Sequence, residues 1–526
     1  MGLGNRNADH SFAQTPSVRN ARSAFNRSHG RKDAFFFDQL YPIFVDEILP
    51  GDTCNLNVNA FVRLAPLLDP VMDNMYMDFF FFFVPNRLVW TNWERFLGSQ
   101  DDPGDSISFT IPQLSVVASA NTPGALSEKM GVPLGSGTQS VSALPFRAYN
   151  LIWNTWFRDQ NLQQSIPVDL DDGPDSEADY SIRARGTRHD YFTSCLPWPQ
   201  KGTAINLLPA AIVAPVTRTS AATNWKVYNA GTNTLSGVGT LNSGAAGDLW
   251  DGATTAFSLD PNGTLVSTLT ATSAGTINQL RQAFQIQSLL ELDGRGGTRY
   301  VELLLAHFGV TAPDFRLQRP EYLGGGQITI NSHIVPQTSQ TSGSNYQANL
   351  AAFATASTAG GKGVGFTKAF QEHGYVIGLA CARADVTYQR GIEKHLQRLT
   401  RYDYFWPKLQ EIGEQAVLRR EIWADSTGSD STVFGYQERY AEYKYKPSTI
   451  HGYFASNATG TLDMWHMARK FTSAPELNET FIVSSTPIAR ALANTNATPI
   501  LYDAFYSYKH TRVMATYSVP AGLGRF

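Results

Sequence analysis

Residues 54–84 constrain the fold more than any other stretch of the chain. From Cys54 to Leu64 the even positions read Cys, Leu, Val, Ala, Val, Leu, and the odd ones between them read Asn, Asn, Asn, Phe, Arg. Period-two alternation sends one set of side chains to each face of a strand, so this segment predicts a sheet with one buried face. The turn signal Pro50-Gly51-Asp52 precedes it. Residues 71–84 then read VMDNMYMDFFFFFV and stop at Pro85. An apolar run without alternation, far too short to span a bilayer, predicts a strand covered on both faces.

The same texture returns late in the chain. Strand candidates are GQITINSHIV (326–335), GYVIGLACARADVTYQ (374–389), FGYQERYAEYKYKP (434–447) and AFYSYKHTRVMATYSV (504–519). Long loops separate them, not tight hairpins. Helical patterns are few: 86–98 closed by Gly98, about 145–162 with Pro145 in its first turn, and the pair INQLRQAFQIQSLLELDG and TRYVELLLAHFG joined at Gly294–Gly297. No repeat of solenoid or propeller period is present. Helices alternating regularly with short apolar strands would signal an α/β fold, and they do not occur. The expected class is mainly β: an antiparallel sandwich of the jelly-roll kind, with long loop insertions and a few helices.

Composition narrows the function. Charged residues make up 17% of the chain, below the roughly 25% of ordinary soluble domains, while aromatics reach 12%. Interface cores are depleted in charge and rich in aromatic rings, so a chain that buries much surface in neighbours has this composition. The net charge of −3 excludes a protein coated in basic patches, and three scattered cysteines exclude a disulfide framework and suit a reducing compartment such as a bacterial cytoplasm. The start, MGLGNRNADHSFAQTPSV, has no apolar core of a secretory signal. Between Thr203 and Asn278 only Arg218, Lys226, Asp248, Asp251 and Asp260 are charged, amid Thr, Ser, Ala, Gly and Asn. This stretch reads as an inserted surface subdomain with a polar, uncharged exterior. The predicted organisation is an arm at 1–32, a sandwich domain from 33–202 and 279–526, and the insertion at 203–278.

A search for chemistry returns little. Gly361-Lys362-Gly363 is the nearest approach to a phosphate-binding Walker loop, but Ala356 and the glycine after the lysine break the motif, so the segment reads as flexible loop. No G-x-S-x-G elbow or H-E-x-x-H pair occurs, and the ten histidines show no metal-ligand spacing. The acidic run Asp169, Asp171, Asp172, Asp175, Glu177, Asp179 fails as an EF-hand because Gly173 and Pro174 occupy positions five and six. It reads as a solvated loop, and a divalent cation held at a subunit contact is the one metal it leaves open. No enzyme activity and no cofactor are expected.

The arm carries the only nucleic-acid signal. Arg6, Arg19, Arg22, Arg27, Arg31 and Lys32 stand against Asp9 alone, a balance of +5, with Phe12 and Phe25 interleaved. Basic groups follow phosphates and rings stack on bases, so such an arm suits a single strand or the inner face of a container. With so few apolar residues it is expected to be flexible until bound, and its removal should leave the sandwich folded. About 60 such arms in the smallest icosahedral shell carry roughly 300 positive charges. The chain's own gene needs about 1,600 nucleotides, three per residue. The arms alone therefore cannot neutralise a genome.

Longer segments add a resemblance. FDQLYPIFVDEILPGDTCNLNVNAFVRLAPLLDPVMDNMYMDFFFFFVPNRLVW (37–90), DYFTSCLPWPQKG (190–202), ADVTYQRGIEKHLQRLTRYDYFWP (384–407) and the tail YKHTRVMATYSVPAGLGRF resemble major capsid proteins of the Microviridae, in particular the gokushovirus branch. The resemblance covers most of 1–202 and 277–526. It implies an eight-stranded jelly roll, a T=1 icosahedral shell of sixty copies, and a circular single-stranded DNA genome. It also implies a small basic DNA-binding protein and a minor pilot protein as partners, with assembly in the host bacterial cytoplasm and residence in the virion. Residues 203–278 sit where this family carries a threefold protrusion that meets a host cell-surface receptor. From a different class, a β-sandwich phage protein that binds or depolymerises carbohydrate would also explain the Thr/Ser/Gly-rich insertion and the aromatics, but no paired carboxylates can be placed for it. A soluble single-strand DNA-binding module is the weaker third reading, because the basic signal is confined to the arm.

Overall fold

Eight strands build the framework, and their pairing follows from which faces are apolar. They are β1 (His29–Phe35), β2 (Tyr41–Ile48), β3 (Thr53–Leu64), β4 (Met75–Pro85), β5 (Glu321–Pro336), β6 (Phe353–Ala369), β7 (Gly374–Ala384) and β8 (Ile500–Arg512). The computed structural model describes residues 22–117, 119–135, 137–203, 277–336 and 353–517, with the backbone of six short strands between 216 and 267. One sheet has the order β1-β8-β3-β6 and the other β2-β7-β4-β5, every pair antiparallel. Successive strands cross from one sheet to the other, except that β4 and β5 are neighbours. This is the winding of a jelly roll. Along one edge β5 joins the sheets, pairing with β4 up to Ile330 and with β6 from Asn331.

The alternation in β3 places Cys54, Leu56, Val58, Ala60, Val62 and Leu64 inward, all buried. The phenylalanine run of β4 is buried on both faces, as its pattern predicts. Phe79, Phe81 and Phe83 join the core between the sheets, while Phe82 and Val84 join a second core with Ile377, Leu379 and Cys381 of β7. Helix α1 (Leu144–Ile152), with Pro145 in its first turn, covers that outer face through Phe146, Tyr149 and Ile152. A third core gathers Phe192, Val417, Ile422, Phe434 and Phe481 from the loops. It includes a small hairpin of Glu414–Leu418 with Val433–Glu438.

Several elements differ from the sequence reading. The predicted strand 434–447 ends at Glu438, because Tyr440 adopts a left-handed backbone (φ 67°) and the chain turns away. The predicted helix 86–98 reduces to two single turns, Asn86–Leu88 and Trp93–Phe96. The Gly361-Lys362-Gly363 segment lies within β6, where the register against β3 shifts between Gly361 and Val364. One extra residue is accommodated there as a β-bulge, and Gly363 has φ 90° and donates its N–H to Asn57 Oδ1. β6 is glycine-rich because strands approach closely: a Cβ on Gly365 would stand 1.9 Å from the Leu56 carbonyl oxygen.

The arm boundary also moves. Residues from Ser23 belong to the sandwich, since Ser23–Asn26 and β1 both pair along β8. The expectation that the chain is free up to residue 32 is corrected: a bare basic sequence gains ladder hydrogen bonds from the last strand, and cutting at 32 would remove part of the sheet. The chain divides into two compact units, 1–199 with 294–526, and 200–293. The second unit holds three nested antiparallel pairings, Val216–Arg218 with Leu265–Ser267, Val227–Asn229 with Phe257–Leu259, and Asn242–Ser243 with Leu249–Trp250. It also takes most of helix α2 (Ile277–Arg295), which the sequence reading placed with the sandwich from 279 onward.

Substituting Gly365→Ala is expected to destabilise the sandwich by about 1–3 kcal/mol, because the added carbon must push β3 and β6 apart. Thermal unfolding of the purified protein checks this, with Gly428→Ala, where nothing lies within 4 Å of the added carbon, as the neutral control.

Candidate functional site

The basic residues singled out near the N-terminus meet different fates. Arg6 and Arg19 lie outside the described residues, and Arg22 is exposed just before the first strand. Arg27 forms a two-pronged ion pair with Asp46. Arg31 pairs with Asp33 at 2.8 Å, and Lys32 reaches across to Asp503 at 2.6 Å. Asp33 in turn receives the buried ammonium of Lys129. Three of the six residues therefore hold carboxylates of the sandwich itself.

The acidic loop is not simply solvated. Arg147 of α1 and Asp175 are both fully enclosed, and Arg147 Nε donates to Asp175 Oδ2 at 2.8 Å. Arg147 Nη1 also donates to the carbonyls of Val89 and Asp171, while the Tyr180 hydroxyl donates to Asp175. Asp172 accepts from Trp90 Nε1 at 2.7 Å and Asn92 Nδ2 at 2.9 Å. Enclosed charges require this saturation, since desolvation otherwise exceeds their attraction. The run thus pins the loop to α1, and among the described residues no group of three His, Cys, Asp or Glu side chains could hold a metal ion. Spacing alone did not reveal this, because the partner of Asp175 stands in a helix read only for its apolar face.

A second enclosed network closes the sandwich where its ends meet. His510 of β8 is fully buried, with Nε2 2.8 Å from Asp52 Oδ2 and Nδ1 3.0 Å from both Arg27 Nη1 and the Tyr508 hydroxyl. Tyr508 donates to Asp46, and Arg512 Nε donates to Asp52. Burial holds the imidazole below its ordinary pKa, outweighing the pull of Asp52, and Arg512 adds to the lowering.

No nucleophile emerges from the cysteines. All three are buried, and burial raises Cys54 to about 11 and Cys381 to about 12, with Cys195 raised further still. A thiol that stays protonated is a packing residue and not a catalyst.

What the molecule does present is apolar surface. Leu396, Leu399, Tyr402, Phe405 and Trp406 are exposed on one loop, Leu399 at 91%. The adjoining loop exposes Tyr443, Tyr445 and Tyr453. This surface is held in shape: the Arg398 guanidinium lies 4.3 Å from the Tyr443 ring and 5.3 Å from that of Tyr404 and pairs with Glu442, while Asp403 accepts from the backbone of Leu399 and Thr400. Helix α3 (Tyr300–Phe308), YVELLLAHF, has no buried residue, and Phe308 is 75% exposed. A subunit with ordered, largely uncharged aromatic loops around a rigid sandwich is built to be covered by neighbours.

A jelly roll that presents such surfaces defines a structural, shell-forming class of protein. A family model described as capsid protein (F protein) matches residues 13–522. The chain is 52% identical to capsid protein VP1 of Bdellovibrio phage phiMH2K, with both chains covered in full. It is 39% identical to capsid protein VP1 of Chlamydia phage 1 and 32% to that of Spiroplasma virus 4, covering 98% of each pair. The chain belongs to the F-protein family of Microviridae capsid proteins, and it is a structural protein of the virion.

Two outcomes follow for the networks. Arg147→Ala leaves Asp175 enclosed without its partner and is expected to cost about 3–5 kcal/mol in chemical denaturation. Because the folded His510 pKa is depressed, the unfolded chain takes up the proton more readily, so this contribution is complete above about pH 6.5 and is lost as pH falls below it. The unfolding midpoint should fall on acidification through that window, and His510→Gln should show a shallower fall.

Proposed function

We propose that sixty copies of this chain close into a T=1 icosahedral shell around circular single-stranded DNA, assembled in the host bacterial cytoplasm. The carrying observation is the ordered aromatic surface of the loop around Leu399 and Trp406, which makes no sense on a monomer in water. Closed symmetry requires each subunit to bury several surfaces at once, and exposed apolar loops on a rigid sandwich supply them. The inserted unit at 203–278 is weakly charged and polar, and this supports a role at the particle exterior against a host receptor. The arm supports an inner position: Arg6, Arg19 and Arg22 lie in a stretch whose one acid is Asp9, ahead of Arg27, Arg31 and Lys32, which hold carboxylates. Their small charge leaves most of the genome's phosphates to a separate basic protein or to counterions, and a minor pilot protein completes the partners of this reading.

Replacing Leu399→Asp together with Trp406→Asp should leave the subunit folded by circular dichroism but sedimenting as small species, where the parent chain yields closed particles in electron micrographs. Closed particles of normal yield from that variant would overturn the assignment of this surface. Arg6→Ala with Arg19→Ala should lower the DNA content per particle, read as the ratio of absorbance at 260 to 280 nm, and an unchanged ratio would remove the arm from the inner surface.

A further inference from the structure

The network that closes the sandwich has one member placed to change its charge. An arginine carries no acceptor, so in the 3.0 Å contact with Arg27 Nη1 it is His510 Nδ1 that accepts. The ring proton then sits on Nε2, facing Asp52 Oδ2 at 2.8 Å. The imidazole is neutral in this arrangement, with its lone pair given to a cation. Asp46 Oδ2 lies 3.7 Å from the same Nδ1, and it is held by Arg27 Nη1 at 2.5 Å and by the Tyr508 hydroxyl at 2.7 Å. A proton on Nδ1 would face Arg27 and Asp46 together, repelled by the first and attracted by the second.

The other groups around the ring decide which side gives way. Asp52 is fully enclosed, accepts from Arg512 Nε at 3.0 Å as well as from His510, and has its Oδ1 buried without a hydrogen-bond partner. Arg512 Nε also stands 3.1 Å from His510 Nε2, and Arg512 Nη2 donates to the Glu47 carbonyl. The Cys54 thiol meets the Tyr508 hydroxyl at 3.3 Å, and a Cβ on Gly51 would stand 3.1 Å from Arg22 Nη2. Asp52 cannot leave without exposing the seam, and it anchors Arg512. Arg27, whose side chain is 40% exposed, is the cation that water can receive.

Little besides Arg27 keeps the first strand down. Ser23–Asn26 pairs with Lys509–Arg512 of β8, Phe25 opposite His510, and none of its four residues is buried. Arg27 follows at once, with its N–H on the Tyr508 carbonyl at 2.9 Å and its guanidinium 5.4 Å from the Tyr508 ring. An edge strand without a buried side chain opens at small cost once its anchor is gone.

We propose that His510 is an acid-operated latch: a proton on Nδ1 takes Asp46 from Arg27, and Ser23–Arg27 comes away from the end of β8. The imidazolium then bridges Asp52 and Asp46, so both carboxylates keep a cation while Arg27 moves into water. Burial, which holds the imidazole below its ordinary pKa, sets the change below about pH 6.5. His29, the other titratable ring on this segment, has Nδ1 2.9 Å from the Arg27 carbonyl, a contact that a protonated ring keeps. The opening is local and needs no partner, so it goes beyond the assembly reading and does not rest on it.

The test is hydrogen exchange on the full-length chain, read by mass spectrometry and corrected for the intrinsic effect of pH. Between about pH 7.5 and about pH 5.5 the amides of 23–27 should exchange about tenfold faster, the change that one pKa unit between shut and open forms supports, while 54–64 of β3 stays protected. His510→Gln should keep 23–27 as protected at the lower pH as at the higher, and Arg27→Gln should leave it open at both. Unchanged protection in the parent chain would overturn the latch, and so would an equal loss in His510→Gln. Loss of the response in His29→Gln but not in His510→Gln would move the switch to the wrong ring. Equal loss of protection in 54–64 would make the event acid unfolding of the sandwich. Should His510→Gln fail to fold, Arg27→Gln decides alone: a tenfold acid response that survives in it sinks the proposal.

Discussion

Burial of β4 on both faces is the constraint on which the rest of the molecule depends. Phe79, Phe81 and Phe83 fill the space between the sheets, and Phe82 and Val84 fill the space beneath α1. A strand with one wet face would leave α1 and the acidic loop tied to it with nothing to pack on. The run therefore fixes a layer outside the sandwich as well as the sandwich itself. The outer layer holds the enclosed pair of Arg147 with Asp175, and the Trp156 ring against Phe82. Among the described residues the opposite sheet has no such cover. Phe61, Leu501 and Phe505 stand exposed on its outer face among asparagines and charges.

The two ends of the chain are tied to each other by enclosed charge. β1 and Ser23–Asn26 run along β8, and the Arg27, Asp46, Asp52, His510 and Arg512 side chains hold one another where those strands meet the turn between β2 and β3. A jelly roll closes only when its first and last strands pair, so polar groups at that seam set its register where apolar side chains alone would permit slippage. This explains why residues 23–35, polar and basic in sequence, are ordered: Arg27 and Lys32 are answered by Asp46 and Asp503, and Arg31 by its neighbour Asp33, which also holds the Lys129 ammonium.

That pairing also explains what sequence could show and what it could not. β3 and β4 were legible because burial alone dictates their side chains. β1 was hidden since its partners, Asp503 and Lys129, are invisible to any local window. β6 was hidden for the opposite reason: FATASTAGGKGVGFTKA carries glycine where strands nearly touch, and glycine in a row reads as loop. The acidic run carried no local sign that Asp175 would be enclosed. The aromatic loop at 396–406 was legible only as family resemblance, since exposed rings are indistinguishable from core rings until the core is seen to be complete without them.

The low charge of the chain then acquires a physical meaning. A container subunit must avoid self-repulsion across many contacts, and it does so by spending its charges in pairs within itself: Arg27 on Asp46, Arg147 on Asp175, Arg383 on Asp78, Arg398 on Glu442. The surfaces left for neighbours are rings and aliphatic groups, whose attraction does not depend on sign or salt and so permits identical copies to meet.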